Sequence, residues 1–386
     1  MISHRVPPHA DANAVTRLAA ELRAAGTRIH DLTESNPTRC GIAYPRGLLD
    51  PLADPQALFY DPQPFGLAAA RAAVAADQRR RGARIDAAQV VLTASTSEAY
   101  AWLFKLLCDP GDAVLVPQPS YPLFDHLTAL EGVTPYPYAL EYHGRWMIDF
   151  ESIRRAPPNV RALLVVSPNN PTGSCLTGPE LQQVAAVCGA RGWALIADEV
   201  FADYPLEATE WVTDVAARAD VLSFTLGGLS KTVGLPQLKL GWCIVGGREP
   251  ERAAALRALE LIADSYLSVS TPVQLAAAFL LRAGAAIREA IHTRIRHNLA
   301  TLRASVARYP ACQVLRVDGG WSAVVRVPCT RPEEDLIVDL LRTEHILVHP
   351  GYFFDFPGEA YVVVSLLPDD TVFADASARL LQFMSA

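Results

Sequence analysis

Apolar and polar positions divide the chain into stretches of different period. Residues 14–25, AVTRLAAELRAA, repeat apolar positions every three to four residues, which predicts a helix with Gly26 as its C-terminal cap. The segment DLTESNPTRCGIAYP that follows has no period and reads as irregular. From about 66 to 250 the pattern alternates. LAAARAAVAADQRRRG, SEAYAWLFKLLC, LFDHLTALEG and PELQQVAAVCGARG predict helices. QVVLT, AVLVP, ALLVVS, ALIAD, VLSFTLG and GWCIVGG predict strands. Those strands are continuous apolar runs, and helices lie between most of them. That predicts a mostly parallel sheet flanked by helices. Residues 250–307 read as one long helical stretch, and the remainder mixes strands (WSAVVRVP, YVVVSLL) with helices (PEEDLIVDLLRTE, FADASARLLQFM). The expected fold is α/β: a large domain over 45–270, and a smaller α+β domain from 1–44 and 271–386.

Composition narrows the classes. Of 386 residues, 51% are hydrophobic and 19% charged, enough apolar material for a large core, and the net charge is −7. The densest basic run, RRRG at 79–82, reads as the solvated end of a helix, so no nucleic-acid partner is expected. Seven cysteines at irregular gaps, without a C-x-x-C pair, argue against a disulfide framework or a metal site and fit a reducing cytoplasm. The first fifteen residues lack the apolar stretch of a secretory signal, and runs such as AAAFLL at 276–281 are far too short to span a membrane. The expectation is a cytoplasmic protein that acts on small molecules.

In open α/β sheets, ligands bind beyond the carboxyl ends of the strands. QVVLT is followed by ASTSE, AVLVP by QPSYP, and ALLVVS by PNNPTG; ALIA ends in Asp198, and VLSFTL runs into GGLSK. Ser95 and Thr96 at a helix start suit a phosphate, because free N–H groups and the helix dipole favour an anion. Tyr121 offers a flat face for stacking. Asn170 can donate to a ring oxygen. Asp198, at the end of the apolar run WALIAD, needs a positive partner to stay ionised. Lys231 is a potential Schiff-base amine. Each has a plainer reading alone: an N-cap, a turn, a core aromatic, a solvated acidic pair, a surface lysine. Together they describe a site for a phosphorylated, cationic heteroaromatic aldehyde, which is pyridoxal 5′-phosphate.

The chain resembles the fold-type I pyridoxal-phosphate enzymes, specifically the class I/II aminotransferases. The resemblance runs from YDPQPFGLAAAR at 60–71 to YVVVSLLP, and its most specific pieces are SPNNPTG (167–173), ADEVF (197–201) and GGLSK followed by KLGW. It implies that Lys231 carries the cofactor as a Schiff base, Asp198 pairs with the pyridine nitrogen, Asn170 touches the phenolic oxygen and Tyr121 stacks on the ring. It further implies that Ser95, Thr96, Ser230 and Lys239 bind the phosphate. Tyr60 resembles a tyrosine that reaches the phosphate of a neighbouring subunit, which implies a homodimer with shared active sites. The implied partners are an amino donor and a carbonyl acceptor.

Departures from the family pattern are specific. Lys239 stands where arginine is usual and loses the bidentate fork. Phe201 replaces a tyrosine, and Tyr204 is offset from that path. Ser35, in LTESNP, replaces a glycine. Val363 stands where an arginine usually clamps the substrate carboxylate, and no arginine occurs from 358 to 366. Either another cation binds that carboxylate or the substrate lacks one. Ser35, Arg39 and Tyr352 are the candidate substrate residues; Arg326, Trp321 and Phe353 are weighed beside them. The leading expectation is an aminotransferase in a biosynthetic process. The alternatives are a carbon–sulfur β-elimination lyase, another specialised biosynthetic enzyme with the same cofactor, and a non-catalytic cofactor sensor.

Overall fold

The computed structural model describes residues 2–7, 12–207, 210–358 and 360–385. Its strands, in chain order, are β1 (His30–Asp31), β2 (Val90–Thr93), β3 (Ala113–Gln118), β4 (Thr134–Tyr142), β5 (Trp146–Ile148), β6 (Val160–Val166) and β7 (Ala194–Asp198). Then come β8 (Ser223–Gly228), β9 (Gly241–Gly246), β10 (Gln313–Val314), β11 (Ser322–Arg326), β12 (Ile346–Leu347), β13 (His349–Pro350) and β14 (Tyr361–Ser365).

Eight of these form one sheet in the order β2-β9-β8-β7-β6-β3-β4-β5. Pairings are parallel from β8 through β7, β6 and β3 to β4; β9 and β5 run against their neighbours. Every residue of β2, β7, β8 and β9 is buried, as continuous apolar runs require of a sheet covered on both faces. Two apolar clusters fill the two sides. One holds Leu115, Leu163, Leu195 and Ala197; the other holds Val114, Leu164, Ile196 and Leu226. Alternate residues of a strand face opposite ways, so this division follows directly from the pleat.

A four-stranded antiparallel sheet, β10-β11-β14-β13, and a two-stranded parallel one, β1-β12, make up the smaller unit. The second draws the N-terminal segment against the C-terminal part, through His30 paired with Ile346 and Asp31 with Leu347. The helical stretch after 250 is three helices, Glu251–Asp264, Thr271–Ala283 and Ala285–Val306, rather than one. The first break holds Ser268 and Ser270, with Pro272 at the next helix's start. The second is Gly284, where a Cβ would meet Val233 Cβ at 2.4 Å.

β4 is invisible to a search for apolar runs because it contains Pro135 and Pro137. Thr134 donates to the Asp112 carbonyl at 2.8 Å, so the alternate positions 135 and 137 turn their nitrogens away from β3. On that side β5 pairs only with residues 140–142. The prolines therefore sit where no ladder donor is needed.

Candidate active site

Because β3, β6, β7 and β8 are parallel, and β2 runs the same way as β8, the residues after these strands gather along one edge. Asp198 closes β7 with its residue only 8% exposed. One carboxylate oxygen accepts the Tyr100 hydroxyl at 2.8 Å, and the other accepts the Val200 amide at 3.1 Å. Burial pushes this carboxyl above the usual range; the Tyr100 bond, the Val200 bond and the Lys231 charge pull it back. Lys231 sits on the one-turn helix Leu229–Thr232 directly after β8. Burial pushes its amine down to about 8, against the opposing influence of Asp198. The two side chains thus lie close enough for each to feel the other's charge. The adjacent Glu199 turns elsewhere, accepting the amides of Asp214 and Val215 at 2.7 and 2.9 Å. The pair at 198–199 is therefore buried and divided, not solvated.

The lysine is held from below and behind. Its ammonium lies 4.8 Å from the Trp321 ring centroid and 5.6 Å from that of Phe201, and the two rings meet edge to face. Tyr204 donates its hydroxyl to the Lys231 carbonyl at 2.6 Å, so it fixes the backbone of that turn. The small residues around the lysine are steric necessities. A Cβ on Gly227 would lie 2.4 Å from the Trp242 indole nitrogen, and one on Gly241 would lie 3.0 Å from the Ser95 carbonyl carbon and 3.2 Å from the Thr96 nitrogen.

Ser95 caps the helix Thr96–Leu107, its hydroxyl accepting the Glu98 amide at 3.2 Å. The remaining first-turn amides have no intrahelical acceptor. Gly241 leaves room beside them, and it pairs with both Thr93 and Gly228 in the sheet. Lys239 stands two residues earlier, exposed and left-handed at φ 52°, while Ser230 is part-buried next to Lys231. Asn170 is part-buried with its side-chain oxygen 3.5 Å from the Ser322 hydroxyl. Its neighbour Asn169 has a different task. It donates to the Pro119 carbonyl and Thr172 hydroxyl at 3.0 and 2.8 Å and accepts from Ser120 at 2.8 Å. That braces the loop presenting Tyr121, which is 46% exposed.

Other sequence candidates lie outside this group. Tyr60 is 80% exposed, in a row with exposed Leu58 and Phe59. Ser35 and Arg39 are exposed on the loop after β1, and Arg39 makes no ion pair among the described residues. That loop is tied to the smaller sheet where the Ser365 amide donates to the Leu32 carbonyl at 2.7 Å. Tyr352 turns to Glu334, and with it lines a surface hollow that none of the groups around Lys231 reaches. Arg326, at the far end of β11 from Ser322, is exposed and bonded to Gln313 at 2.6 Å. Val363 is buried. Tyr100 and Asn169 were not singled out by the sequence, and Tyr204 was weighed there only as a stand-in for the tyrosine that Phe201 replaces, not as the brace on the Lys231 carbonyl. Tyr100 shares its helix's apolar positions and looks like core, and the NN pair does not say which asparagine braces the loop.

Fold and site together define an enzyme that transfers amino groups, and comparison with known proteins gives the family. The model for "Aminotransferase class I and II" matches residues 48–372. The alanine aminotransferase of Mycobacterium bovis is 28% identical over 379 residues, covering 95% of this chain and 88% of its own. The glutamate-pyruvate aminotransferase AlaA of Escherichia coli (strain K12) is 25% identical over 364 residues, covering 92% and 90%. A solved alanine aminotransferase from Pyrococcus furiosus shares the fold with a TM-score of 0.86 at 24% identity, over 96% of this chain and 95% of its own. The chain belongs to the class I and II aminotransferases and has their fold-type I architecture.

Proposed function

We propose that this aminotransferase works with pyridoxal 5′-phosphate held at the edge described above, moving an amino group between an amino acid or amine and a keto or aldehyde acceptor. The observation that carries the reading is the placement of Lys231 and Asp198 after the adjacent parallel strands β8 and β7, where each feels the other's charge. The residues fit the group. A Cβ on Gly241 would crowd the first turn of Thr96–Leu107, where Ser95 and Thr96 offer donors suited to a phosphate, and Ser230 and Lys239 on the adjoining turns would add to them. Bound there, the cofactor supplies an electron sink for charge developing at the substrate carbon.

The chain's residues do the rest. Lys231 would hold the cofactor and, once released, would take and return the proton at the substrate carbon. Asp198 would hold a positive charge at the ring nitrogen, and Tyr100 orients that carboxylate and favours its ionised form. Asn170 would serve the phenolic oxygen, and Tyr121 would offer its flat face to the ring. The exposed row Leu58, Phe59 and Tyr60 supports a homodimer in which Tyr60 reaches the neighbouring copy's phosphate. The separate eight- and four-stranded sheets support the division into 45–270 and the two flanking segments. Five buried free cysteines support a cytoplasmic setting.

The test is Lys231→Ala. Turnover falls by about 10⁴-fold or more and the borohydride-reducible absorption band disappears. A variant that keeps both would end the reading. The donors named by the relatives, alanine and glutamate, are the first to try with pyruvate as acceptor. Ammonia released from a donor without any acceptor would indicate the lyase instead.

A further inference from the structure

The smaller sheet turns one face toward the Lys231 edge, and the strand register says which residues it carries. Ser322 pairs with Ser365, Val324 with Val363, and Val363 in turn with His349. Residues directly opposite each other in antiparallel strands share a face. Ser322, Val324, Ser365, Val363 and His349 therefore lie on one side. The residues between them, Ala323, Val325, Val362 and Val364, belong to the core on the other. The first side reaches the site at Ser322, 3.5 Å from Asn170, while Val324 and Val363 pack with Phe354 and Phe356.

His349 is the ring on that face whose nitrogens are both left without a hydrogen bond among the described residues. Its ring meets those of Phe353 and Phe354 at 5.7 and 5.6 Å. The Phe354 carbonyl accepts the Ser120 amide at 3.0 Å, one residue from Tyr121. On the opposite flank Leu32 is bonded to both Leu347 and Ser365, which brings the loop carrying Ser35 alongside. Neither nitrogen of His349 has a hydrogen-bond partner among the described residues. Among the described residues the one cation on that face, Arg326, stands exposed at its far end, and Val363 puts an apolar side chain at its centre. Burial lowers the proton affinity of His349 and the Asp31 charge opposes it, so the ring is mainly uncharged at neutral pH. Glu34 and Arg39 are the other charges on the adjoining loop.

We propose that His349 is the specificity-determining residue that receives the end group of the amino substrate, and that the site favours uncharged, hydrogen-bonding end groups such as an amide or hydroxyl over a carboxylate. This rests on the reading of the Lys231 edge given above. A neutral imidazole offers one donor and one acceptor, which match an amide or a hydroxyl. A carboxylate in the same place would be desolvated against valine and phenylalanine, and Arg326, the cation this face carries among the described residues, lies at its far end.

The test uses the cofactor-loaded protein and two non-reacting ligands, propionamide and propionate, titrated by calorimetry. The wild type binds propionamide at least tenfold more tightly than propionate. In His349→Ala that preference falls to within threefold of unity through weaker amide binding, and in His349→Gln most of it returns. His349→Leu keeps the bulk without the nitrogens and gives the same reading should the alanine variant melt early. Tighter binding of propionate by the wild type overturns the proposal, including the case where Arg39→Ala abolishes that binding. So does an amide preference that survives in His349→Ala or His349→Leu. In parallel, alaninamide and alanine are mixed with the protein and the cofactor's absorption band is followed. No bleaching by any donor counts against the Lys231 assignment, whereas bleaching that is indifferent to His349 counts against this inference alone.

Discussion

At the scale of the residue, the site is a contest between burial and charge, and its outcome is measurable. Burial lowers the Lys231 amine to about 8, so roughly a tenth of it is free base at pH 7. Capture of pyridoxal phosphate by the cofactor-free protein follows that fraction. Its rate rises as pH climbs through about 8 and levels above, whereas a midpoint near the ordinary 10.5 contradicts the enclosed lysine. Tyr100 makes a second case. Its hydroxyl is the strongest influence holding the Asp198 carboxyl down against burial. Tyr100→Phe removes a hydrogen bond to a charged group, so the cofactor dissociation constant rises about 10- to 100-fold. The sign with pH follows. Without that bond Asp198 takes up its proton at a higher pH, so affinity on acidification begins to fall earlier than in the wild type. Equilibrium dialysis across pH reads both effects, and an unchanged profile removes Tyr100 from the site.

At the scale of the element, the glycines explain how a part-buried lysine is presented at all. β8 ends in Gly227 and Gly228, and β9 begins with Gly241. These three let two strands, an indole and a helix N-terminus approach within ordinary contact. Gly227→Ala forces its methyl into Trp242 and costs about 1–3 kcal/mol of stability, read as a lowered midpoint in urea. A midpoint equal to the wild type would show that the indole moves freely. The elements were unevenly legible in the sequence. Six of the large sheet's strands are apolar runs and declare themselves. β4 hides behind Pro135 and Pro137, whose missing donors matter only to a neighbour that is not there. The helix breaks near 268 and at Gly284 are hidden by a periodicity that continues across them. Within the site, residues that end strands were readable because position on the edge gives them meaning. Tyr100 and Tyr204 act through contacts 98 and 27 residues away in the chain, and spacing cannot reveal such contacts.

For the whole molecule, the two sheets meet across the site, and the exposed apolar row Leu58, Phe59 and Tyr60 lies on the outside. If that row is the dimer contact, the protein sediments as a dimer. Phe59→Asp then sediments as a monomer and loses cofactor affinity, because Tyr60 no longer reaches a neighbouring phosphate. A dimer unaffected by Phe59→Asp would place the contact elsewhere. The whole site turns on which lysine takes the cofactor. The chain contains three lysines, Lys105, Lys231 and Lys239. Lys105 is bonded to Glu131, and Lys239 is exposed. Borohydride reduction of the cofactor-loaded protein, followed by peptide mass spectrometry, distinguishes them directly. The pyridoxyl group is expected on the peptide carrying Lys231 and on no other; its appearance on Lys105 or Lys239, or on no lysine, would contradict the site.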